Sequence, residues 1–258
     1  MRLNITALLL SIMIGLILVV GFAFTTGDQF ATALFPTMAV LSAYIITGFS
    51  IGYLSRGVTI IEPGIGSIVI SITAFFVIPI LQLKGFHGMW TSDWIIIYMN
   101  AIIMTHLGAW LGEKFQHGDL PEEAITKMKI EWGWVFAGTV MGVTVSMLII
   151  NILVLIIGYN PNDYVLPYFI SLLITGLVIG WKSPGITIQE AGLGGFLTIT
   201  IVLNIIRLTL RTESEIEVKV IIIGMILGYL VSLFGGFIGE VIQKAYEKNK
   251  IIKEIKQL

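Results

Sequence analysis

Long apolar stretches fill this chain, and charged residues fall almost entirely between them. Runs free of Asp, Glu, Lys and Arg occupy 3–27, 29–55, 63–83, 94–112, 132–162, 164–181, 191–206 and 220–239. A helix needs about 20 mostly apolar residues to cross a bilayer, so each run predicts one span. The shortest, 191–206, gains length through Gly185–Gln189 on one side and Leu208–Leu210 on the other. Alternation at period two, expected of an outer-membrane barrel strand, is missing from these runs. The first run exceeds the about 7–15 apolar residues of a cleavable signal and reads as a retained span. The expected fold is an all-α integral membrane protein with eight transmembrane helices.

The pattern also repeats. Residues 46–67 read ITGFSIGYLSRGVTIIEPGIGS and residues 174–195 read ITGLVIGWKSPGITIQEAGLGG, with 12 of 22 positions identical at an offset of 128. A shorter echo, LGAWLGEKFQ at 107–116 and FGGFIGEVIQ at 234–243, follows at an offset of 127. A fixed internal period points to duplication of one structural unit. The expected organisation is a first four-helix repeat at 1–117, a linker at 118–132, and a second four-helix repeat at 133–258. An even number of helices per repeat gives both the same orientation, so the repeats are parallel rather than inverted.

Composition narrows the class. Apolar residues make up 56% of the chain and charged residues 12%, against about 25% charged in soluble domains. The expected setting is the lipid bilayer of a prokaryotic cytoplasmic membrane. A net charge of −1 argues against a nucleic-acid reader, and the lack of cysteine removes thiolate chemistry and cysteine metal ligands. Eleven of the fifteen Lys and Arg residues fall on the side of both termini, the linker and the two repeated loops. By the positive-inside rule that side is cytoplasmic. In the linker, Asp119-x-x-Glu122 has capping-box spacing, followed by a short interfacial helix with Trp132 and Trp134 at the headgroups. The last helix is expected to continue past Val241 as an amphipathic tail.

The repeated loop holds the first candidate chemistry. Thr59-x-x-Glu62 and Thr187-x-x-Glu190 each have capping-box spacing, in which the glutamate reaches back to the threonine amide. The competing expectation makes the two glutamates a cation or solute site at the mouth of a cleft between the repeats. Gly64-x-Gly66 and Gly192-x-Gly194 follow inside the helices, where glycine costs about 1 kcal/mol relative to alanine. They imply close approach of a backbone or a bound group. Gly48-x-x-x-Gly52, Gly108-x-x-x-Gly112, Gly176-x-x-x-Gly180 and Gly235-x-x-x-Gly239 carry small-xxx-small spacing for helix contact. Glu113 and Glu240 occupy matched positions and are expected at solvated helix ends, with an ion-site role as the alternative.

His106 is the one histidine inside a span and is expected to hydrogen-bond across helices, as are Asn100, Asn151 and Asn204 unless they line a cavity. No His or Cys cluster predicts a metal, and no cofactor motif occurs. The catalytic patterns G-x-S-x-G, H-E-x-x-H and G-x-x-x-x-G-K-[ST] are also missing, so an enzyme is not expected. Two functions remain. One is passage of a small solute or ion between the repeats, with Glu62 and Glu190 at the cytoplasmic side. The other is a non-transporting scaffold or assembly subunit, bound to a membrane partner or to further copies of itself.

Overall fold

The computed structural model describes residues 4–30, 33–55, 60–116, 130–158, 165–183, 187–210 and 218–255. Among them stand eight α-helices: α1 (Ile5–Gly27), α2 (Leu34–Leu54), α3 (Ile61–Ile80), α4 (Thr91–Gln116), α5 (Trp132–Ile157), α6 (Val165–Lys182), α7 (Ile188–Leu210) and α8 (Val218–Ile255). Seven are long and apolar enough to cross a membrane, and α7 is apolar over Ile188–Asn204. The chain is an all-helical, multi-pass integral membrane protein.

Local chemistry sets several helix ends. The Asn4 side chain caps α1 by accepting the Ala7 N–H at 3.2 Å, satisfying one of the orphan donors of the first turn. Gly158 ends α5 with φ of 78° while its N–H returns to the Val154 carbonyl at 3.0 Å. Glycine enters that left-handed conformation without the Cβ clash other residues suffer, so α5 stops short of the end of its apolar run. The expected interfacial helix of the linker lies mostly outside the described residues. Trp132 opens α5 and is exposed, but Trp134 is buried rather than placed at the headgroups. Its bulk faces the helix packing.

Two compact units divide the chain. The first comprises Met1–His117, Met147–Asn162 and Leu208–Arg211; the second comprises Gly118–Ser146, Asp163–Arg207 and Thr212–Leu258. In the first, the start of α1, the end of α2, the start of α3 and the end of α4 gather at one end. Asn4 meets Glu62 there, and Gln116 reaches the carbonyl oxygens of Tyr53 and Ser55. Its interior is built from Val19, Ala23, Ala39, Val40, Ala43, Ile70, Ala74 and Ala101, closed at the far end by Leu83, Phe86 and Trp94. Lipid offers little hydrophobic drive for helix association, so close packing and hydrogen bonds hold such bundles.

Glycines lie where α2 meets α4. A methyl group on Gly48, Gly52, Gly108 or Gly112 would overlap the carbonyl oxygen of Thr105, Ala109, Ile45 or Phe49 respectively. In the second unit, Gly176, Gly180, Gly235 and Gly239 meet the carbonyl oxygens of Ser232, Gly236, Leu173 and Leu177 in the same way. Each of these four glycine contacts of α2 with α4 thus has a partner contact of α6 with α8, displaced by the offsets read from the sequence.

Buried hydroxyls mostly return to their own helices. Thr47, Thr105, Thr139 and Thr175 each donate to the carbonyl four residues earlier. That bond satisfies a polar group where no water is available. Asn100 and Asn204 do the same from exposed positions. Asn151 does join helices, accepting the Thr25 hydroxyl proton at 2.7 Å within the first unit. His106 departs from the expected cross-helix bond: its Nδ1 lies 2.8 Å from the Ile102 carbonyl of its own helix.

Candidate functional site

Among the described residues three carboxyl groups are buried, two in the first turns of helices and one within α8. Glu62, Glu190 and Glu240 are 6%, 4% and 4% exposed, and an ionisable group held out of water is costly unless it is paired. Their partners decide what they do.

Glu62 sits in the first turn of α3 and accepts the backbone N–H of Asn4 through Oε1 at 3.0 Å. Glu190 sits in the first turn of α7 and accepts the backbone N–H of Glu131 at 3.0 Å. Asn4 immediately precedes α1, and Glu131 immediately precedes α5. Each carboxyl therefore satisfies an amide at the start of its unit's first helix and ties that start to the third helix. Neither bond is the expected capping box. Thr59 lies outside the described residues, and the residue capping α3 is Ile60, with no side-chain bond.

The amide of Thr187 is taken instead by Glu240, whose Oε1 accepts it at 2.8 Å. The Thr187 hydroxyl meets the Ser183 hydroxyl. Glu240 is accordingly not at a solvated helix end. α8 runs unbroken through it to Ile255, and the carboxyl turns inward to the start of α7. Lys244, exposed one turn later, approaches its other oxygen at 3.6 Å. Glu113, its counterpart in α4, is half-buried. Gln243 adds a bond from Nε2 to the Ser183 carbonyl at 3.2 Å, matching Gln116 and Ser55 in the first unit at 2.7 Å.

Glu190 differs from the others in one atom. Its Oε2 is buried and has no hydrogen-bond partner. Buried polar atoms nearly always find a partner, and one that does not calls for a water, an ion or a functional role. A carboxyl oxygen suits a small hard cation or an N–H or O–H of a polar solute. The surrounding first turn of α7 adds the positive end of a helix dipole, which favours a carboxylate there.

The in-helix glycines of the repeated motif face protein. A Cβ on Gly64 would strike the His106 imidazole, and one on Gly192 would lie 2.8 Å from the Tyr229 ring. On Gly66 it would lie 2.7 Å from the Ser11 hydroxyl oxygen, and on Gly194 about 3.2 Å from the Gly138 backbone. These glycines make room for neighbouring helices. Among the described residues no group of three or more His, Asp or Glu side chains is placed to hold a metal.

Sequence reasoning found the glutamates but missed their partners. The Asn4 and Glu131 contributions are backbone amides, which leave no side-chain signature. Gln116 and Gln243 were detectable, because the shorter echo ends on both. No family model, curated protein or solved structure matches this chain.

Proposed function

We propose that this protein passes a small cation or small polar solute across a prokaryotic cytoplasmic membrane, with Glu190 as the group that receives it. In this reading residues 1–117 and 133–258 are parallel four-helix repeats, the linker 118–132 and both termini are cytoplasmic, and no reaction is catalysed. Supporting the repeats are the duplicated motif and the glycine contacts that recur at its offsets. Supporting the orientation is the eleven-to-four division of Lys and Arg. The observation that carries the function is the buried, unpartnered Glu190 Oε2. Ionisable groups within membrane proteins are expensive and commonly mark substrate or ion pathways.

The scaffold reading has its own observation. Glu62 and Glu190 both commit Oε1 to a helix-start amide, which is a purely structural use. The two readings part on ligand response. Thermal stability in detergent is measured for the parent, Glu62→Gln, Glu190→Gln and Thr187→Ala against Na+, K+, Mg2+ and Ca2+, with choline as an inert control. Passage predicts saturable stabilisation of the parent by at least one cation, about 2.7 kcal/mol at a hundred times its Kd. Glu190→Gln abolishes that response, while Thr187→Ala lowers stability and keeps it. A parent indifferent to all four cations, or a Glu190→Gln variant that still responds, leaves the scaffold reading standing.

A further inference from the structure

Taking Glu190 as the group that receives a cation, its surroundings also limit what can replace that cation. The residue is 4% exposed, Oε1 holds the Glu131 amide at 3.0 Å, and Oε2 is enclosed with no partner. The site therefore offers one free oxygen of one carboxyl. Buried charge is costly unless it is paired, so the occupant of Oε2 decides whether this turn carries a net charge.

Among the described residues no basic side chain pairs with Glu190. From α8 the groups near the start of α7 are Tyr229, whose ring lies against Gly192, and Glu240 with Lys244. Glu240 and Lys244 are already joined at 3.6 Å, and Glu240 Oε1 is taken by the Thr187 amide. α5 itself is uncharged, and Glu131 just before it is exposed and contributes its backbone N–H. At the end of α6 the Lys182 ammonium stands 5.0 Å from the centre of the Trp181 ring. Within α7 the other charged residue, Arg207, lies about five turns further along the helix.

A proton and a metal cation both bind at a carboxylate oxygen, and one free oxygen cannot hold the two together. A proton fits the enclosure as it stands, while a metal ion brings several oxygen ligands and enters only as the turn loosens. Either a proton or a monovalent cation cancels the single carboxylate charge, whereas a divalent ion leaves a buried positive charge. We propose that Glu190 Oε2 holds either one proton or one monovalent cation, so that passage is an exchange of the two. At one side of the membrane the arriving cation takes Oε2 as its O–H bond breaks, and the proton leaves to the water there. At the other side a proton rebinds Oε2 as the cation departs. Each cation moved one way is matched by one proton moved the other, with no net transfer of charge.

Sealed vesicles containing the purified full-length protein and a pH-sensitive dye test this. Na+ or K+ is added outside, with thiocyanate as a permeant anion to collapse any membrane potential. The expected result is cation uptake with alkalinisation of the lumen, one proton lost per cation gained. Lys244→Ala should behave as the parent. Glu190→Gln, which keeps an acceptor for the Glu131 amide, should show neither movement. In detergent, the parent's apparent Kd for the cation should rise as pH is lowered, approaching about tenfold per pH unit. That measurement does not depend on the folding of any variant. Cation uptake at constant lumen pH, or an apparent Kd unchanged by pH, overturns the exchange and leaves passage by way of Glu190 intact. No cation uptake at all overturns passage and exchange together.

Discussion

A carboxyl is judged by what its two oxygens touch, and Glu240 shows how far that departs from its place in the sequence. Its Oε1 holds the Thr187 amide, so Glu240→Ala should leave a buried donor unsatisfied and cost about 1–3 kcal/mol. Glu240→Gln keeps an acceptor and should cost less. Lys244→Ala, at the exposed end of the ion pair, should change stability by no more than about 1 kcal/mol. Thermal unfolding of the three variants in one detergent checks the order, and an Ala variant as stable as the parent would return Glu240 to a solvated helix end. The importance of Glu190 was legible as a repeated residue. Its partner was not, because the amide of residue 131 carries no mark in a sequence.

Helices in this chain were readable because apolar runs are long and charges punctuate them. Each expected span contains or overlaps one observed helix, and the main departures are at ends set by local chemistry, as at Gly158. The glycine spacing stood in the sequence, whereas the carbonyl facing each of these glycines required coordinates. Gly48→Leu, Gly112→Leu, Gly176→Leu and Gly239→Leu each drive a side chain into a neighbouring backbone. Each should cost about 1–3 kcal/mol or more, as overpacking does. Gly21 sits inside α1, and a methyl group there would meet nothing within 4 Å. Gly21→Ala should therefore be neutral or stabilising, by up to about 1 kcal/mol. Melting temperatures of the five variants test this contrast, and equal values across the set would remove glycine contacts from the account.

At the scale of the whole molecule, orientation and passage are the claims to test. Reporters fused at Leu258 or within residues 118–131 should read cytoplasmic, and one placed within 85–93 should read exterior. An exterior C-terminus would contradict the division of charge on which the orientation rests. The most direct measurement of function is uptake by sealed vesicles containing the purified protein, using whichever of the four cations stabilises it in detergent. The account predicts uptake above protein-free vesicles for the parent and Gly21→Ala, and none above that background for Glu190→Gln. Parent vesicles that take up no more than protein-free ones would contradict it.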